Sequence, residues 1–167
     1  DWPGQSGHIH LSLKSKDGAP VFHDSGQPHS MSETMRWFVG GQQRLMPELL
    51  AMIAPTINSY RRLIPGFWAP TDATWGAENR TTALRVIPGT PKSQRVEFRI
   101  AAADSNPYII LAAALASGLW GIEHRVEPEA QVIGNAYDRK FPARLALPRT
   151  LWEAAQRLKG SKMGREW

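Results

Sequence analysis

Residues 95–100 read Arg95-Val96-Glu97-Phe98-Arg99-Ile100, and this stretch decides the fold. Charged and apolar side chains alternate with period two, the pattern of a β-strand with one face in a core and the other turned toward something polar. Val96, Phe98 and Ile100 share the apolar face, and Arg95, Glu97 and Arg99 share the opposite one. A carboxylate flanked by guanidinium groups is held ionised by their positive charge. It is then a suitable oxygen ligand for Mg2+ or Mn2+. By itself, however, the strand reads first as a surface ion-pair ladder, which adds little stability.

Working outward, residues 8–13 repeat the pattern. His8, His10 and Ser12 face one way, and Ile9, Leu11 and Leu13 the other. Neutral imidazoles are good ligands for divalent metals and can donate to phosphate. His-x-His on a strand, alone, still reads as an ordinary hydrogen-bonded pair. The arginines tip the balance: Arg61, Arg62, Arg80, Arg85, Arg95 and Arg99 fall close together in the chain, interleaved with Pro, Gly and Trp. Guanidinium forks grip carboxylates and phosphates bidentately, so several on rigid strands suit a polyanion such as ATP or an acyl phosphate.

The remaining elements follow from turn and cap signals. Lys16-Asp17-Gly18 predicts a hairpin turn, with Val21-Phe22 returning as a short strand. Ser30 and Glu33 have capping-box spacing, and Met31, Met35, Phe38, Val39 and Leu45 mark one helical face. A second helix is expected over Glu48 to Ile53, ending before Pro55. The stretch from Asn58 to Pro91 reads as a long, Pro- and Gly-rich functional loop, with a strand at Thr82 to Ile87 inside it. Asn106-Pro107 opens a helix that is apolar all round and is expected to be sandwiched by other structure. Thr150 and Glu153 cap a last helix, which Gly160 closes. The fold class is α+β: an antiparallel sheet with helices packed on one side.

Composition narrows the function classes. The 167 residues suffice for one domain with a core, and 42% hydrophobic with 21% charged residues predicts a folded chain. With no cysteine there is neither a disulfide framework nor a thiolate metal site, which fits a cytoplasmic protein. The net charge of +5 is spread without a run of lysines or arginines, so nucleic acid is not the expected partner and small anions are. The most apolar stretch, Ile109 to Ile122, is shorter than the about 20 residues that span a bilayer. The chain opens Asp1-Trp2-Pro3-Gly4, without methionine and directly before a strand, as a fragment would.

These pieces in this order resemble the glutamine synthetase family. The resemblance is carried by GQSGHIHLSL (4–13), NSYRRLIPGFWAP (58–70), NRTTALR (79–85), PKSQRVEFR (91–99) and DSNPY (104–108), and extends over nearly the whole chain. It implies the C-terminal part of a glutamine-synthetase-type catalytic domain over 1–167, with the upstream half and an N-terminal β-domain outside the chain. It also implies an ATP- and Mg2+- or Mn2+-dependent ligase that makes γ-glutamyl phosphate and then an amide, working as a ring-shaped homo-oligomer. By the same resemblance His8 and Glu97 are ligands of one metal ion, and His10 and Ser12 lie near the nucleotide. Arg80, Arg85, Lys92 and Arg95 bind nucleotide and phosphate. Arg62 and Arg99 hold glutamate, with Gly4 in the same subsite; Arg62, Arg80 and Arg99 form the catalytic set.

Two positions depart from the family pattern. Trp68 stands where the ammonia-using enzymes have a glutamate that helps to collect ammonium, and Pro3 stands where an asparagine is usual. Trp68 is therefore read as amine-selecting, offering an apolar wall to an alkylamine or polyamine. The alternative is that Trp68 packs with Phe67 and Trp75 while Asp72 or Glu78 serves the amine. Against the ligase reading stands a non-catalytic, structural member of the family, which would be expected to have lost His8, Glu97 or Arg62; all are present.

Overall fold

The computed structural model describes residues 6–166. Four short strands form one sheet in the order β1-β4-β3-β2: β1 is Ile9–Leu11, β2 Trp75–Ala77, β3 Leu84–Ile87 and β4 Arg95–Phe98. The predicted strand at 95–100 is thus the inner strand β4, antiparallel to both β1 and β3. β2 departs from the antiparallel expectation by running parallel to β3. Parallel neighbours usually need a long crossover. Strands this short need only the connection over 78–83 to bring the chain back.

Five helices accompany the sheet: α1 (Glu33–Ile53), α2 (Ile57–Arg62), α3 (Pro107–Glu123), α4 (Leu151–Gly160) and α5 (Met163–Glu166). The apolar sheet face, with Leu84, Val86, Val96 and Phe98, shares one core with Met35, Phe38, Val39, Met46 and Leu50 of α1 and Ile110, Ala113 and Ala114 of α3. The opposite sheet face carries the charged residues.

Several local expectations are corrected. α1 is one helix of 21 residues running through Pro47, not two helices. Proline removes a single N–H, and here Met46, Pro47, Leu49 and Leu50 are all buried, so core packing outweighs the lost bond. Its cap is Ser32, whose Oγ accepts from Met35 N; Ser30 instead ends a 3-10 turn at Pro28–Ser30. The hairpin after β1 closes with Ser15 N donating to Ala19 O, but its return leg makes only isolated bridges at Pro20 and His23. Helix α2 lies inside the segment expected to be loop, started by a Thr56–Ser59 capping box. The caps at Asn106 and Thr150 are as expected.

α3 packs on α1 by close backbone approach. A Cβ on Gly41 would fall on the Ser117 carbonyl and the Gly121 backbone. The expected sandwich is covered on one side only, because Tyr108, Ile109, Leu111, Leu115 and Leu119 of α3 are exposed. Among the described residues no strand pairs with the free side of β1, whereas the outer side of β2 receives a hydrogen bond from Val132 N to Trp75 O. No helix there is long and apolar enough to cross a membrane.

Candidate functional site

Register builds the site. His10 lies opposite Glu97 on β4, and Glu97 lies opposite Arg85 on β3, so the three residues form a row across the polar face. The row continues to Gly76 on β2. Directly opposed residues project to the same face, which is why alternation on separate strands brings these groups together.

Glu97 is the centre. Its side chain is 5% exposed, with Arg99 Nη1 3.1 Å from Oε1 and Arg85 Nη1 3.3 Å from Oε2. His8 Nδ1 lies 2.9 Å from the same Oε1. Burial pushes the Glu97 carboxyl up, but Arg99, His8 and Arg85 together outweigh it and hold the group below its ordinary value. This ion-pair set is buried, unlike the surface ladder that the strand alone suggests. Removing one partner would leave the others uncompensated.

His8 is held on the neutral side. Burial, first, and then the Arg99 charge push its pKa below the ordinary imidazole value, against the pull of Glu97. Its Nε2 meets Ser6 Oγ at 2.8 Å. Arg95 Nε donates to His10 Nδ1 at 3.2 Å, so the His10 proton sits on Nε2, which points toward Glu97 Oε1 at 3.9 Å.

A divalent cation is tested against these groups. A neutral imidazole and a buried ionised carboxylate are the right donors, and cis ligands of Mg2+ at its usual bond length stand about 3 Å apart. His8 Nδ1 lies 2.9 Å from Glu97 Oε1, the length of a hydrogen bond, so a cation held by both would take the place of the Nδ1 proton. They fit two coordination positions. Among the described residues no cluster of three or more potential ligands completes a shell.

Arg62 and Arg99 form a second pair. Arg62 ends α2 and is buried, with Nη2 donating to Ile100 O at 2.7 Å. Burial and then the Arg99 charge lower its pKa. The Nε atoms of Arg62, Arg85 and Arg99 are buried without hydrogen-bond partners. A third group surrounds a cavity of about 580 Å3 lined by Trp68, Glu78, Asn79, Arg80, Arg85 and residues 131–135.

Not every predicted residue joins. Ser12 and Lys92 are exposed, and Arg61 turns away to line an apolar groove with Ile57 and Trp152. Gly4 lies outside the described residues. Trp68 is 66% exposed, so it is not packed into the core as Trp75 is. Of the two carboxylates weighed beside it, Glu78 lines the Trp68 cavity and is paired with Arg85, while Asp72 lines a different one.

Sequence reasoning missed the residues that stitch the site. Asn79 Nδ2 donates to Val132 O and Gly134 O at 3.1 and 2.8 Å, and its Oδ1 accepts from Thr81. Gln94 accepts from Gly89 N and donates to His29 O. Gln94 gave one signal, a polar residue immediately before a strand, and Asn79 gave none; the partners of both lie too far along the chain to be inferred.

Comparison with known proteins gives the following. The whole chain, residues 1–167, matches the family described as "Glutamine synthetase, catalytic domain". It is 46% identical to type-1 glutamine synthetase 2 of Dictyostelium discoideum, over 100% of this chain and 32% of that protein. It is 42% identical to glutamate–isopropylamine ligase of a Pseudomonas species, over 99% of this chain and 36% of that protein. It is 39% identical to γ-glutamylputrescine synthetase PuuA of Escherichia coli, over 84% of this chain and 30% of that protein. The chain thus spans about a third of the length of these curated relatives.

Proposed function

This chain belongs to the glutamine synthetase catalytic-domain family, and from that premise we propose that it is the phosphoryl- and glutamate-handling part of an ATP-dependent ligase that joins the γ-carboxylate of glutamate to an amine. The observation that carries the reading is the buried Glu97, held ionised between Arg85 and Arg99 with His8 at 2.9 Å. Such a set is costly to bury and must be kept fully paired, which favours the ligase over a structural member of the family.

In the proposed reaction a γ-carboxylate oxygen attacks the terminal phosphorus of ATP. The bond to the β,γ-bridging oxygen breaks, giving γ-glutamyl phosphate and ADP. The amine nitrogen then attacks the acyl carbon, the C–O bond to phosphate breaks, and the amide forms with loss of a proton from nitrogen. Arg62 and Arg99 hold the α-carboxylate and leave the γ-carboxylate free to react. Arg80, Arg85 and Arg95, with Lys92, His10 and Ser12, provide the phosphate- and nucleotide-binding set, placing fixed positive charge where it builds up on the transferring group. His8 and Glu97 would hold a divalent cation, which supplies further charge neutralisation at the phosphates. In this reading the chain is part of a longer cytoplasmic ring-forming enzyme, and the chain alone is inactive because two ligands do not make a metal site.

Trp68 sets the amine. Exposed beside Arg80 in the cavity, it offers a flat apolar wall to the carbon chain of an alkylamine or polyamine, where a glutamate would instead attract ammonium. Full-length enzyme is assayed for glutamate-dependent ADP release with ammonia, methylamine, ethanolamine and a polyamine, before and after Trp68→Glu. A carbon-bearing amine is expected to be preferred by kcat/KM, and the substitution to shift preference toward ammonia. Ammonia as the best substrate of the unmodified enzyme overturns the amine assignment. No glutamate-dependent ADP release with any acceptor overturns the ligase.

A further inference from the structure

Glu78 follows the outer strand β2 and is no member of the row across the sheet, yet the backbone bends to place it. Its φ is 51°, in the left-handed region where side chains are disfavoured and glycine is the ordinary occupant. The turn it makes is held on both sides. Glu78 N donates to Val86 O at 2.9 Å, which continues the pairing of β2 with β3. Asn79, the next residue, folds back over Gly76, where a Cβ would fall 2.8 Å from both Asn79 Cβ and Val132 O. Thr81 Oγ1 donates to Asn79 Oδ1 and accepts from Ala136 N, a latch that pins the turn to a distant segment of the chain. A left-handed residue that is not glycine calls for an explanation in its side chain.

Arg85 supplies the explanation. Its Nη2 lies 2.5 Å from Glu78 Oε2 and its Nη1 3.3 Å from Glu97 Oε2, so one guanidinium bridges a half-exposed carboxylate and a buried one. Arg85 stands on β3; Glu97 faces it from β4 by register, and Glu78 reaches it from the end of β2. Each Nη gives one hydrogen to a carboxylate and keeps another. Arg85 also lines the cavity that holds Trp68 and Arg80. A long side chain clamped at both terminal nitrogens cannot swing, so its remaining donors keep one direction. A pair with an exposed carboxylate adds little stability, and glycine at this position would relieve the backbone. The clamp therefore serves placement rather than folding.

We infer that Glu78 is a positioning residue: it holds the Arg85 guanidinium against Glu97, so that the remaining Arg85 donors meet the transferring phosphoryl group in a fixed geometry. The inference rests on the ligase reading, in which Arg85 belongs to the phosphate-binding set, and it adds a carboxylate that acts through that arginine. Donors fixed in advance stabilise developing charge without reorganising at the moment of reaction. Loosening one lowers the rate and leaves the hold on glutamate intact, because Arg62 and Arg99 form a separate pair.

The test is a double-mutant cycle in the full-length enzyme with Glu78→Gln and Arg85→Lys; lysine keeps a positive charge beside Glu97 but has no fork. For Glu78→Gln, kcat of glutamate-dependent ADP release is expected to fall about tenfold, the scale of a lost hydrogen bond between charged groups, with the KM for glutamate and for the amine changed by less than about twofold. In the Arg85→Lys background the same substitution should cost less than about twofold, because the fork it positions is gone. Full additivity overturns the inference, since Glu78 would then act independently of Arg85. A raised amine KM with unchanged kcat overturns it as well, and gives the carboxylate to the amine. So does an Arg85→Lys variant with the parental kcat, because the fork would have no task. Glu78→Gly separates placement from folding and carries the same cycle if Glu78→Gln folds poorly. Glycine suits the left-handed turn, so this variant should melt no lower than the parent while its kcat falls at least as far. A variant that melts lower and regains the parental kcat on cooling shows a folding role and overturns the inference. A parent without glutamate-dependent ADP release overturns the ligase reading instead, so the two failures are distinct.

Discussion

The polar face of the sheet and the α1–α3 contact are held together by opposite means. Across the sheet, His10, Glu97 and Arg85 are aligned by register, and their charges are buried but mutually paired. Between the helices there is almost no side chain at the crossing, and Gly41 and Gly121 let two backbones touch. The first region depends on which groups are present, the second on which are absent. A polar region of this kind fails when one member is lost, and a glycine contact fails when anything is added.

The largest effect is expected from breaking the polar region. Glu97→Ala leaves Arg85 and Arg99 buried without their counter-charge, and urea denaturation should show a loss of about 3–5 kcal/mol. In the full-length enzyme the same change, or His8→Ala, should nearly abolish phosphoryl transfer. A double variant behaving as the sum of two mild single variants would mean that His8 and Glu97 do not share a task. Gly41→Ala comes next, because the added methyl meets the backbone at Ser117 and Gly121 and cannot be accommodated by a rotamer. A loss of about 1–3 kcal/mol is expected. An unchanged denaturation midpoint would show that the helices can slide apart freely. Ser32→Ala removes the cap that receives Met35 N and should cost about 1 kcal/mol, whereas Ser30→Ala should be silent.

The smallest effect is pH-dependent and belongs to the polar region alone. His8 in the fold titrates below 6.5, so in the window just under 6.5 the unfolded chain binds a proton that the folded chain refuses. Stability should therefore rise with pH across that window and level off above it. Glu97 works lower down: held below 4.5, it contributes fully above that value, and the contribution fades as pH falls through its folded pKa. Denaturation midpoints between pH 4 and 8 should resolve the upper step, and His8→Gln should erase it while the lower one persists, reduced, on Arg99 and Arg85.

The same contrast explains what could be read from the sequence. The alternation at residues 8–13 and 95–100 announced both strands and their polar faces, because period two is written locally and Glu97 carries its own chemistry. The start of α3 was equally plain at Asn106-Pro107. The continuity of α1 was not, because Pro47 signals a break and only the burial around it outweighs that signal. The run of β2 parallel to β3 and the Asn79–Thr81–Ala136 latch join segments whose partners no local pattern names. The Gly41–Gly121 approach was invisible for a simpler reason: glycine announces permission, and the neighbour that uses it lies on another helix.

Among the described residues no strand covers the outer side of β1, and that has a practical meaning for anyone concentrating this chain in a tube. An unpaired strand edge is a template for another strand. Two copies meeting edge to edge would extend the sheet, and the exposed apolar residues of α3 add a second adhesive surface. Because β1 spans only Ile9–Leu11, such an edge offers few ladder bonds. Clumping through it should depend steeply on concentration and reverse on dilution, setting a ceiling on how much of the isolated chain stays in solution.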